Sequence, residues 1–149
     1  IVMMDADMTY DPKDIPRLLE PILENRADMV VGNRFKGLQK GSMRLVNRFG
    51  NILLSWIARQ ALGVGVRDTQ CGIRAFKSEV LEKLDLSSEG MSFATEMLGR
   101  AGFEGLRIEE MPVAYRQRMG ESKLNPMKDG MKILSIILRL AWEERAILK

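Results

Sequence analysis

The sequence predicts an α/β fold from three observations. Ile1-Val2-Met3-Met4 is a short apolar run of the kind that forms a buried strand. Ile15, Leu18, Leu19, Ile22 and Leu23 recur at i, i+3, i+4, i+7 and i+8, the spacing of one buried helical stripe. Asp28-Met29-Val30-Val31-Gly32 is a second strand-like run. Strand, helix, strand in that order points to a parallel α/β unit.

The first strand runs into Asp5-Ala6-Asp7 and has no polar punctuation before it, so the chain is expected to begin inside a larger domain. Asp11-Pro12 offers a helix cap followed by a proline at the first helical position, and the helix should end near Asn25. The second strand delivers Asn33-Arg34-Phe35 into a loop containing glycine and lysine. Over residues 43–62 the apolar set Leu45, Val46, Phe49, Ile52, Leu53, Trp56 and Ile57 is helical, with Arg44, Arg48, Asn51, Ser55 and Arg59 on the other face. Gly63 and Gly65 end that helix.

Residues 68–76 read as a loop entering a short strand, and helical pieces follow at 78–84 and 92–101. Residues 106–115 form another strand, 116–124 a polar loop, and a last helix starts near Pro126. That helix is apolar nearly all round between Ile133 and Trp142 and carries Lys128, Lys132, Arg139 and Arg145. Such a mixture fits either a membrane surface or a core helix.

A chain of 149 residues with 46% hydrophobic content is one domain's worth of core. The net charge of +3 is dispersed among 23 basic and 20 acidic residues, which gives no nucleic-acid footprint. One cysteine excludes an intrachain disulfide and a multi-cysteine zinc site. No histidine is present, so any acid, base or metal ligand in this segment is Asp, Glu, Lys, Tyr or Cys. The apolar stretch at 133–142 is broken by Ser135 and Arg139 and falls short of the ~20 residues a spanning helix needs.

Asp5 and Asp7 stand just past a strand, where open α/β sheets keep their ligands, and two carboxylates at i and i+2 suit a hard divalent cation, Mg²⁺ or Mn²⁺. Such an ion would hold a substrate diphosphate and neutralise its charge as it leaves. Arg34, Arg44, Arg48, Arg116, Arg118 and Lys123 are cations on segments that could converge at one sheet edge, either as phosphate ligands or as solvated surface charge. Asp68 reads as a turn residue, Cys71 as a small buried filler, and Glu96 as either partly exposed or an inward-facing functional carboxylate.

In order, D-A-D-M-T-Y-D-P, V-V-G-N-R-F, D-T-Q-C-G-I-R-A-F and M-P-V-A-Y-R-Q-R-M-G-E-S-K-L form a series that resembles glycosyltransferase family 2. Within it, the series is similar to the dolichyl-phosphate (polyprenyl-phosphate) mannosyl- and glucosyltransferases. The resemblance extends from Ile1 to about Leu134. It implies the C-terminal portion of a GT-A fold, with residues 1–125 as part of the catalytic domain and 126–149 as an amphipathic, membrane-surface helix. It also implies an N-terminal half, outside this sequence, that reads the nucleobase.

By the same resemblance, Asp5 and Asp7 hold metal and diphosphate, and Arg34 meets an acceptor phosphate. Arg44 or Arg48 is a second arginine for that phosphate, Arg44 lying nearer the loop. Arg118, Ser122 and Lys123 fall in a loop that closes over substrates, with Arg116 a rival to Arg118. The implied reaction is inverting, metal-dependent transfer of a hexose from GDP-mannose or a UDP-sugar to dolichyl or polyprenyl phosphate, at the cytoplasmic face of a membrane. A phosphate acceptor is already an anion at neutral pH and needs no general base, so Asp68 orients the sugar or an arginine. Two other readings stand beside it: a family 2 enzyme acting on a sugar hydroxyl, with Asp68 or Glu96 as base, and a non-catalytic interaction domain on the same fold.

Overall fold

A computed structural model describes residues 1–39, 41–118 and 125–147. Strands β1 (Val2–Met4), β2 (Met29–Asn33), β3 (Ile73–Phe76) and β4 (Ile108–Pro112) form one mixed sheet in the order β1-β3-β2-β4. β3 is antiparallel to both β1 and β2, so that Met3, Arg74 and Val31 lie abreast, while β4 runs parallel to β2. β1 and β2 keep the expected parallel direction, but they are not neighbours in the sheet. Helix α1 (Ile15–Leu23) joins two strands of the same direction, but β3 lies between them and satisfies the backbone groups of both.

Local chemistry sets the element ends. The Asp11 carboxylate accepts the Lys13 amide at 3.0 Å and opens a 3₁₀ turn, Pro12–Asp14, so α1 itself starts later than the Asp11-Pro12 signal suggests. α1 rests on β2 and β3 through Leu18, which is fully buried. Leu23 is 80% exposed and leaves the stripe assigned to it, because the helix stops there. The Arg26 and Ala27 amides bond back to the Pro21 carbonyl and turn the chain toward β2.

The remaining helices are α2 (Leu45–Leu62), α3 (Ser78–Lys83), α4 (Met91–Phe103) and α5 (Pro126–Ile147). α2 ends on Gly63, whose φ of 67° is the left-handed conformation that glycine adopts without penalty. α5 opens with a reciprocal cap in which Asn125 Oδ1 accepts the Lys128 amide and Asp129 Oδ2 accepts the Asn125 amide. α2, α4 and α5 pack together around Gly99, where an added Cβ would fall 2.9 Å from Leu140 and 3.0 Å from Leu62.

The orientation of α2 differs from its sequence pattern. Ser55, Ala58 and Leu62 are buried, whereas Leu45, Val46, Phe49, Ile52, Leu53 and Trp56 are exposed. Ser55, placed by its spacing on the polar face, instead accepts the Thr69 amide at 3.1 Å and meets the Thr69 hydroxyl at 3.0 Å. Its small size lets the helix approach the loop before β3. α5 is divided in the same way: Ile133, Ile137 and Leu140 enter the core, and Met127, Met131, Leu138 and Trp142 face outward. Among the described residues, no helix is long and apolar enough to cross a membrane.

Candidate active site

β1 ends by placing Asp5 against the loop that leads into β3. The Asp5 amide donates to the Gly72 carbonyl at 3.2 Å, and an added Cβ at Gly72 would lie 2.0 Å from Asp5 Oδ2. Only glycine lets the carboxylate lie so close to this backbone. Asp7 Oδ1 accepts the Thr9 amide at 3.1 Å and the Thr9 hydroxyl at 2.5 Å, and Asp7 Oδ2 pairs with Arg118 at 2.5 Å.

Burial, and then the neighbouring charge of Asp7, raises the Asp5 carboxyl above its usual range. For Asp7 burial acts in the same sense but is outweighed by the Thr9 bonds and by Arg118, which hold it low. Two hard carboxylates, one strained by the other's charge, form a donor set that suits Mg²⁺ or Mn²⁺, ions that complete their shells with water and substrate phosphate. Among the described residues no group of three or more His, Cys, Asp or Glu side chains that could hold a metal ion occurs.

β2 delivers Arg34 into the same cleft. Its Nε and NH2 donate to Asp68 Oδ2 and Oδ1 at 2.8 and 2.7 Å, and its backbone amide donates to Oδ2 at 2.9 Å. Both side chains are buried, and the guanidinium lies 5.5 Å from the centroid of the Tyr115 ring. Burial opposes the charge on Arg34, but the Asp68 bonds prevail and raise its pKa well above the ordinary value. Asp68 is held in turn by Glu110, whose Oε1 accepts the Arg67 and Asp68 amides at 2.6 and 2.9 Å while Oε2 accepts from Asn33 at 2.8 Å.

Asp5, Asp7, Arg34, Gln70, Tyr115 and Arg118 line one cleft of about 690 Å³, with Glu89 and Asp129 at its walls. A smaller recess of about 130 Å³ adjoins it between α2 and α5, lined by Met43, Val46, Leu54 and Ile133 and sharing Arg34, Gln70 and Tyr115. Asp5, Asp7, Arg34 and Arg118 are thus brought together, and Asp68 is joined to them through Arg34. Arg116 is turned away and pairs with Asp11. Arg44, which precedes α2, and Arg48 on it are exposed and line neither hollow. Ser122 and Lys123 lie outside the described residues.

Glu96 is fully buried, accepting from the Ser87 and Ser88 amides at 3.0 and 2.6 Å and pairing with Arg139 of α5 at 3.0 Å. Cys71 is a buried filler, its thiol pushed up to about 12 by burial. Sequence reasoning passed over Tyr10, Arg74, Glu110 and Gln70. The Tyr10 hydroxyl accepts the Gly72 amide at 2.7 Å, and its ring meets Tyr115 edge-on at 5.5 Å. Arg74, wholly buried, donates to the Cys71 carbonyl at 2.7 Å and to the Ala94 carbonyl at 3.0 Å, tying β3 to α4. An arginine between two apolar residues of a short strand was the available signal for it. Glu110, beside Glu109 in a half-buried strand, offered none.

Residues 1–85 match the family described as Glycosyl transferase family 2. Over 140 residues the chain is 40% identical to a low-salt glycan biosynthesis hexosyltransferase of Haloferax volcanii, covering 93% of this chain and 34% of that protein. It is 35% identical over 146 residues to a dolichyl-phosphate hexose transferase of the same organism, covering 97% and 62%. To the polyprenol monophosphomannose synthase of Mycolicibacterium smegmatis it is 35% identical, covering 84% and 49%. The chain therefore spans between about a third and somewhat under two thirds of these relatives.

Glucosyl-3-phosphoglycerate synthase from Mycobacterium tuberculosis, in complex with phosphoglyceric acid, shares the fold at a TM-score of 0.71 and 20% identity, covering 94% of this chain and 49% of that one. The same enzyme solved with Mn²⁺, UDP and glucosyl-3-phosphoglycerate matches at 0.70. The architecture is thus the α/β GT-A fold, matched over about half of those structures. The chain belongs to glycosyltransferase family 2 and is related to its polyprenyl-phosphate sugar transferases.

Proposed function

We propose that the whole protein transfers a hexose, with inversion, from a nucleotide-diphospho-sugar to a polyprenyl or dolichyl phosphate at a membrane surface. The observation that carries this reading is the meeting of a charged cleft and an apolar recess at Arg34 and Tyr115. An amphiphilic acceptor fits that junction, its phosphate toward Arg34 and its chain toward α2 and α5. The related dolichyl-phosphate and polyprenol transferases support the same acceptor class.

In this reading Asp5 and Asp7 hold a divalent cation, Mg²⁺ or Mn²⁺, which supplies charge neutralisation at the departing diphosphate. Arg118, paired with Asp7, is the cation next to that charge. Arg34 keeps NH1 and one edge of NH2 beyond the Asp68 pair, and these bind acceptor phosphate oxygens. Asp68 fixes the Arg34 fork in place, so that its position is set before substrate arrives. A phosphate oxygen attacks as an anion, and no residue has to remove a proton. Ser122 and Lys123 bind substrate in this reading, and Arg116 is held by its pair with Asp11.

The membrane reading rests on the outward apolar side chains of α2 and α5 with Arg44, Arg48, Arg59, Lys128 and Lys132 exposed around them, a composition suited to an anionic cytoplasmic leaflet. Arg44 and Arg48 contact lipid phosphate from there. The hydroxyl-acceptor reading loses Asp68 and Glu96 as bases, since both are fully engaged in ion pairs and amide bonds. It retains Glu89, exposed on the cleft wall.

The experiment is a comparison of acceptors with the whole protein, giving polyprenyl phosphate and simple hexose acceptors the same donors. Transfer to the lipid phosphate that survives Glu89→Gln is the expected result. Transfer to a sugar hydroxyl that Glu89→Gln abolishes would establish the alternative.

A further inference from the structure

Gln70 is 7% exposed and lies on the wall of the charged cleft, in the loop between Asp68 and β3. Its amide nitrogen donates to the Thr69 hydroxyl at 3.0 Å and to the Thr95 hydroxyl at 2.8 Å. Thr69 is itself fixed to Ser55 of α2, and Thr95 belongs to α4, so two helices hold the amide in one orientation. Its carbonyl oxygen, Oε1, is buried and has no hydrogen-bond partner among the described residues.

A buried acceptor without a partner is costly, so Oε1 calls for a donor that the described side chains do not supply. Both neighbours of the amide are hydroxyls that receive its N–H groups, and Gln70 borders both the charged cleft and the adjoining recess. The chemistry of Oε1 narrows the ligand. An amide carbonyl accepts from a neutral O–H or N–H and repels a phosphate oxygen. The anions of the proposed reaction therefore belong to Arg34, Arg118 and the Asp5–Asp7 cation, and the group that suits Gln70 is a neutral donor, of which a hexose offers its hydroxyls.

We propose that Gln70 is a specificity-determining residue that accepts a hydrogen bond from one hydroxyl of the donor hexose. The inference rests on the nucleotide-sugar reading above. It assigns the selection of the sugar, as distinct from the nucleotide, to this half of the fold. Thr69, Thr95 and Ser55 act behind it as positioning residues.

The test is calorimetric binding to the whole protein, with Mn²⁺ present, of nucleoside diphosphate, the matching nucleotide-hexose and its monodeoxy analogues. Gln70→Met, close in volume but without the acceptor, should lose about tenfold to a hundredfold in affinity for the nucleotide-hexose, the range of one unpaired hydroxyl. Its affinity for the nucleoside diphosphate should not change, which also reports that the variant is folded. One monodeoxy analogue should bind the unmodified protein weakly by that same factor and lose no further affinity in Gln70→Met.

Equal losses for the diphosphate and the nucleotide-hexose, or no loss for either, would overturn the Gln70 assignment alone. An unmodified protein that binds no nucleotide-hexose would overturn the donor reading itself, and the assignment with it.

Discussion

Arg34 and Asp68, 34 positions apart, meet fork to fork in the protein interior: two side-chain bonds of 2.8 and 2.7 Å and a third from the Arg34 amide at 2.9 Å. Removing one partner of a buried pair costs about 3–5 kcal/mol because the other charge is left uncompensated. Asp68→Ala should therefore lower the melting temperature sharply. Asp68→Asn keeps an acceptor for the fork, so it should lose less stability and keep a measurable fraction of turnover with polyprenyl phosphate. Complete loss of turnover with substrate binding intact would make Asp68 a base.

Gly72 sets the position of Asp5. An alanine Cβ there would lie 2.0 Å from Asp5 Oδ2, and the carboxylate has to move. Gly72→Ala should weaken Mn²⁺ binding about tenfold to a hundredfold, the scale of an outer-shell change at a metal site, while circular dichroism stays native. Unchanged Mn²⁺ titration would detach Asp5 from the metal.

Much of this arrangement was legible in the sequence, and its gaps have physical causes. That Asp5, Asp7 and Arg34 share one cleft was legible because Asp5 and Arg34 each directly follow a short strand, with Asp7 two residues beyond Asp5, and strand ends are where open sheets put ligands. The insertion of β3 between β1 and β2 was not legible, since strand order depends on pairings that hydrophobic period does not encode. α2 misled in another way: its apolar stripe faces outward, and the small residues Ser55 and Ala58 make the buried seam. Hydrophobic period identifies a helix face that leaves water, and it does not say whether core or another phase receives it. Gln70 and Glu110 carried no pattern, because their roles come from tertiary partners 25 and more residues away.

Glu96 ties α4 to the Ser87–Ser88 turn and to Arg139 of α5, with Arg100 and Glu143 alongside. Burial alone would raise its pKa, but the Ser88 and Ser87 bonds lower it from 4.5 to about 2. A folded value below the unfolded one means that its stabilisation is complete above pH 4.5, declines as pH falls, and is gone below about 2. Urea midpoints measured across that window should fall steeply for the unmodified protein. For Glu96→Gln they should start lower at pH 7 and vary less with acid.

The exposed α2 residues Phe49 and Trp56, 70% and 56% accessible, make the membrane reading testable without activity. Replacing both with Glu should leave the fold intact, since neither enters the core, and should reduce binding to anionic lipid vesicles at least tenfold, as lost apolar burial adds to charge repulsion. Undiminished vesicle binding would move the contact away from α2.

Whether Asp5 and Asp7 support metal-dependent hexose transfer to a lipid phosphate is read from transfer by the whole protein, from nucleotide sugar to polyprenyl phosphate, across a Mn²⁺ and Mg²⁺ titration. The expected result is no transfer in chelator, restoration by either ion or both, and none at any metal concentration in Asp7→Ala. Transfer that persists in chelator, or that survives in Asp7→Ala, would contradict it.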